Sequence, residues 1–195
     1  MRPVVLILGC LLASSCGSVE ATPTALEART GDQPTTSDAA AAKPEPVVWR
    51  DEERGFRVSH PDSWRRAASP LTPYLSDPVE LFALGTYALR AGGDRCAHQP
   101  VNAVEDLGPE DALIVIFERA QPFTTEGYPP RPDDTRLARR TNRFCVPGGD
   151  RFDSWLPFGE SGRAFYALIA IGENASDQTL AEVSAIYDSI AFDER

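Results

Sequence analysis

The alternation of apolar and polar positions changes character at residue 47. From there the chain runs through short apolar stretches separated by turn residues. Val47-Val48-Trp49 predicts a first strand. Phe56-Arg57-Val58-Ser59 predicts a second, with Phe56 and Val58 on one face. Asp51-Glu52-Glu53-Arg54-Gly55 between them reads as a hairpin loop with Gly55 in the left-handed position. Pro61 ends the second strand, because it lacks an amide donor and biases His60 to extended geometry, and Trp64 is expected to lie against the sheet. The continuous apolar run 81–89 suits a strand covered on both faces, and Ala112–Phe117 a central one, being branched and bounded by charges. Asn102–Leu107 is a short helix candidate stopped by Gly108-Pro109. Phe152–Phe158 and Arg163–Ile171 predict an antiparallel pair joined through Gly159-Glu160-Ser161-Gly162. A closing helix opens at Asn174–Ser176, with Thr179 and Glu182 at capping-box spacing and Leu180, Val183, Ile186, Tyr187 and Ile190 on one face. The pattern predicts an α+β domain over 47–195, long enough to bury one core.

Nothing ahead of residue 47 fits that pattern. Arg2, the apolar run Pro3–Ala13 and the small residues Ala13-Ser14-Ser15 form a signal segment over 1–15, too short to span a bilayer. With Cys16 directly after it, the arrangement resembles a bacterial lipoprotein signal, which implies acylation at Cys16. Ala13 departs from the usual leucine three residues before the cysteine. Ile7-Leu8-Gly9-Cys10 fits that local box better but leaves almost no apolar segment ahead of it, and an ordinary secretory signal cleaved near Ser15 is the plainer alternative. Residues 16–46 carry only Val19 and Leu26 as large aliphatics and no aromatic, so they are expected to be a flexible Ala/Thr/Pro-rich tether. Thirty such residues have a mean reach of ~30 Å.

Charge narrows the partners. The chain carries 19 basic and 29 acidic residues, a net −10, and removing the signal with Arg2 makes it more acidic still. Nucleic acid is excluded as an expected partner, since phosphate binding needs a basic face. Arg136, Arg139, Arg140, Arg143 and Arg151 form the one basic concentration along the sequence. It reads either as a docking face for an anionic wall polymer, a headgroup or an acidic protein patch, or as solvated strand edges paired with neighbouring carboxylates.

The candidate chemistry is sparse. Of four cysteines, Cys10 and Cys16 fall in the signal region, leaving Cys96 and Cys145. In an oxidising compartment they are expected to form a disulfide, whose loop of about 50 residues is worth roughly 4 kcal/mol. Two separate buried thiols remain the alternative, as does a small soft-metal site of Cys96, His98 and Cys145. No nucleophile elbow, phosphate loop, paired-His zinc motif or Cys-x-x-Cys occurs. His60 is expected to make a backbone contact at a strand end rather than to act as a base. Trp155, Phe158 and Tyr128, the last in the Pro-rich loop 121–135, could line a groove or simply pack. No catalytic residue, cofactor or metal is assigned.

Gly55-Phe56-Arg57-Val58-Ser59-His60-Pro61-Asp62-Ser63-Trp64 and Ile186-Tyr187-Asp188-Ser189-Ile190-Ala191-Phe192 resemble the opening and closing motifs of PsbP-like domains. The resemblance covers two short ends of the domain. It implies a curved antiparallel sheet flanked by a few helices, and binding rather than catalysis, with no functional residue to carry over. The expected protein is a lipid-anchored extracytoplasmic binding or interaction module at the outer face of a bacterial cytoplasmic membrane. It would be held by its N-terminal lipid and would meet an envelope protein or an anionic wall polymer. The alternatives are an exported hydrolase or metal-handling protein with a scattered site, and a wall-zone structural protein with no discrete site.

Overall fold

A computed structural model describes residues 45–92, 99–120, 127–132 and 151–194, with the side chains of 151–154 excepted. In chain order the elements are β1 (Val47–Asp51), β2 (Phe56–His60), β3 (Arg65–Arg66), β4 (Val79–Gly85), α1 (Val101–Glu105), β5 (Ala112–Glu118), β6 (Arg151–Glu160), β7 (Arg163–Gly172), α2 (Asp177–Ser189) and β8 (Ala191–Phe192). The domain is mixed α+β with sheet dominant, and every strand pairing is antiparallel. The strands divide into two sheets, of order β1-β2-β8 and β3-β4-β5-β7-β6, where the sequence led us to expect one. The chain leaves the first sheet at Pro61, and the two-residue β3 joins β4 instead of β2.

β5 is central in the larger sheet and buried at every residue, as its branched run requires. Period-two alternation sends its side chains into two cores. Ile114 and Ile116 join Phe82, Leu84, Phe165 and Ile169 beneath α2 and the small sheet. Leu113, Val115 and Phe117 join Ala83 and Leu168 on the other face, beneath Ala103 and Val104 of α1. β4 ends at Gly85, shorter than the apolar run suggested. The chain turns there so that Leu89 packs back within contact distance of Gly85.

The small sheet carries both stretches quoted for the resemblance, and they meet. Phe56 lies opposite Phe192 and Arg57 opposite Ala191. Gly55 has φ +64°, the left-handed conformation expected of it, and a Cβ there would press on Nη1 of Arg163 at 3.2 Å. Trp64 is buried, and its indole donates to Oε2 of Glu182 at 2.8 Å. The expected capping box is corrected accordingly. Ser176 is the N-cap, its Oγ accepting from the Thr179 amide at 3.1 Å, and Glu182 faces Trp64 and Gln178. Val183, Ile186 and Tyr187 form the buried stripe of α2.

Candidate functional site

A strap of residues 127–132 crosses the end of β6, and its neighbourhood is the candidate site. The Gly159 amide donates to the Pro129 carbonyl at 2.8 Å, and Pro130 makes a parallel bridge to Gly159. Prolines suit this place, since they hold the chain extended and the strap uses a carbonyl there. On one side of the sheet Tyr128 and Tyr166 bring their hydroxyls to 2.6 Å, ring edge against ring face. Tyr166 stacks on Trp155 at 5.3 Å, and Trp155 tilts against Phe117 at 5.5 Å. On the other side Arg131 donates to the Tyr187 and Ile190 carbonyls at 3.2 and 2.8 Å, closing the C-terminal end of α2 with a positive charge. Its Nε also pairs with Glu160 at 2.9 Å.

Beside the strap opens a shallow hollow of about 220 Å³ lined by Tyr128, Pro130, Gly159, Glu160, Ser161 and Gly162. Ser161 and Gly162 have φ of 52° and 72°, as a two-residue hairpin loop demands. Burial, then the hydrogen bond to Tyr166, pushes the Tyr128 hydroxyl up to about 12, with Asp77 adding and Arg119 opposing. The Tyr128 hydroxyl therefore stays neutral across the physiological range, able to donate or accept. The hollow can take a small polar group or a strand of another chain, bordered by the Tyr128 ring, the Glu160 carboxylate and the Ser161 hydroxyl.

The buried charges are committed to the framework. Arg163 is 1 % exposed and grips Glu118 through two bonds of 2.7 Å. It also donates to the Gly55 and Arg54 carbonyls at 2.7 and 2.9 Å and lies over Phe165 and Phe192. Glu80 accepts from the Leu71 amide and from the Thr72 amide and hydroxyl, fixing the loop before β4. Burial pushes its carboxyl above the usual range, while those hydrogen bonds and Arg54 oppose the shift. Among the described residues no group of three or more His, Cys, Asp or Glu is placed to hold a metal ion.

Cys16, Cys96, His98, Cys145, Arg136, Arg139, Arg140 and Arg143 lie outside the described residues, and Arg151 is described only as backbone in β6. His60 is buried and donates from Nδ1 to the Pro61 carbonyl at 2.9 Å, the backbone contact expected of it. Trp155 and Phe158 do not line one groove. Three residues apart on a strand, they face opposite cores, and Tyr128 joins Trp155 alone, through Tyr166. Tyr166, Arg131 and the Glu118–Arg163 pair escaped the sequence reading. Arg163 opens an otherwise apolar strand directly after a hairpin turn, where a charge reads as exposed, so nothing local announced it or the others. No family model, curated protein or solved structure matches the chain.

Proposed function

We propose that the protein is a lipid-anchored extracytoplasmic binding module with a PsbP-like domain, acting without catalysis. It is exported, acylated at Cys16 and held off the outer face of the bacterial cytoplasmic membrane by residues 17–46. The observation that carries the reading is the division of labour among polar groups. Buried Arg163, Glu118 and Glu80 hold the framework, while Tyr128 and the Glu160–Arg131 pair border an open, shallow hollow. Catalysis wants a nucleophile beside a base in an enclosed pocket, whereas an open polar hollow edged by the Tyr128 ring suits reversible contact with a chain or polymer. The pairing of β2 with β8 supports the PsbP-like part, because it joins the two motifs on which that resemblance rests.

Two measurements test this. Fatty-acid labelling should be lost in Cys16→Ser and kept in Cys10→Ser, and labelling that survives the first change would move or remove the anchor. Retention on purified cell envelope should fall in Tyr128→Ala with the fold intact by circular dichroism. Full retention would take the hollow out of the binding surface.

A further inference from the structure

Six of the nine arginines with described side chains, Arg50, Arg54, Arg90, Arg119, Arg131 and Arg163, have a carboxylate within 4 Å. The other three, Arg57, Arg65 and Arg66, lie on β2 and β3. Arg66 rests over the Trp49 ring at 3.9 Å, at the edge of β1. Arg57 stands directly opposite Arg50 in the β1–β2 register, both exposed on the outward face of the small sheet. Arg50 has only a loose contact with Glu52, 3.6 Å between side chains 61 % and 83 % exposed. Like charges directly opposed across a strand pair repel, and a shared anion relieves the repulsion. Beside them on the same face is Val48, 64 % exposed, with Val47 41 % exposed at the strand's start.

We propose that this outward face of the β1–β2 ribbon, centred on Arg50 and Arg57 with Val48 beside them, docks on the anionic phospholipid headgroups of the membrane that holds the chain. The proposal rests on the anchored reading above. Guanidinium groups suit phosphate, which each can meet with two parallel donors. Exposed Val48 suits the boundary between headgroup and acyl chain. Position favours the lipid over other anions. Val47 directly follows the segment that leads back to Cys16, so the ribbon is the part of the fold nearest the anchor along the chain. Only thirty residues separate Cys16 from Val47, so acylation at Cys16 keeps the ribbon's local concentration at the headgroups high. The acidic turn Asp51-Glu52-Glu53 lies at the far end of the ribbon from Val47 and directly beside the Arg50–Arg57 pair, where Glu52 makes only the loose contact with Arg50. The sequence conceals the patch, because Arg50 and Arg57 lie seven positions apart among acidic residues and meet only through the hairpin register.

Mature acylated protein in vesicles of phosphatidylcholine alone, and of phosphatidylcholine with phosphatidylglycerol, separates the claims. Sedimentation with both vesicle types reads the anchor. Amide hydrogen exchange across residues 47–60 reads the docking. Exchange there should slow several-fold only where phosphatidylglycerol is present, and the slowing should vanish at high salt and in Arg50→Ser/Arg57→Ser. Unchanged exchange in β5 and β7 of the variant verifies its fold, and Arg57→Lys, which keeps the charge, should retain part of the slowing. Equal exchange in the two vesicle types overturns the proposal, as does slowing that persists in the double variant. Slowing that requires an added glycerol-phosphate polymer assigns the face to the wall instead and equally overturns it. Protein that fails to sediment with phosphatidylcholine removes the anchor, while selective sedimentation with phosphatidylglycerol still reads the docking.

Discussion

Arg163 shows how one side chain can unite distant parts of a fold. Its guanidinium serves β5 through Glu118 and the β1–β2 turn through two carbonyls. Removing one member of a buried ion pair leaves the other charged and without a partner, a loss of about 3–5 kcal/mol. Arg163→Met should lower stability by that amount in urea unfolding. Adding Glu118→Leu should recover part of the loss but not all, because the Arg54 and Gly55 carbonyls still lack their donor. Glu80 gives a pH signature instead. Its folded carboxyl holds a proton more tightly than the unfolded one, whose ordinary value is 4.5. Its contribution is therefore fully present below that value and falls as pH rises through the higher folded value. Stability measured from pH 4 upward should show this decline in the wild type, and Glu80→Gln should remove it. Neither role was legible in the sequence: Glu118 bounds an apolar run and reads as a strand end while its partner sits forty-five residues away, and Glu80 reads the same way although it ties down the Leu71-Thr72 loop.

At the scale of elements the sequence was more informative, because periodicity reports burial directly. The β1–β2 hairpin, central β5, the β6–β7 pair and the buried stripe of α2 all follow from spacing alone. The two-residue strands β3 and β8 did not, as two residues carry no period. Glu182 misled for a related reason: it stood at capping distance from Thr179, but the contact with Trp64 links residues 118 positions apart. That contact makes Trp64 the joint between the β2–β3 turn and α2. Trp64→Ala should cost about 3–5 kcal/mol by chemical denaturation, and Trp64→Phe, which keeps most of the packing, only about 1 kcal/mol for the hydrogen bond. Ser176→Ala should cost about 0.5–2 kcal/mol through the lost N-cap. A Trp64→Ala loss below about 1 kcal/mol would contradict the packing described here.

For the whole molecule, the sequence indicated an α+β domain beginning at residue 47 but not the split into two sheets, which depends on where the chain turns after Pro61. The candidate site shows the same limit. Tyr128 was singled out, yet its partner Tyr166 and its tie to α2 through Arg131 come from strands and a strap brought together by the fold. Cys96 and Cys145 give a test at this scale. Non-reducing peptide mapping of the native protein should recover them joined if the chain is exported as proposed, and two thiols that alkylate freely without denaturant would refute the bridge.

The pairing of β2 with β8 also sets an order of events in synthesis. The first long-lived neighbours of Phe56 and Arg57 are Trp49 and its strand, but the outer neighbour of β2 is residues 191–192. A ribosome releases those residues after the rest of the domain. Until then the aromatic cluster of Phe158, Phe165 and Phe192 lacks a member, and the Asp193 amide has not reached the Gly55 carbonyl. The nascent domain thus stays incompletely closed until residues 191–193 have been made.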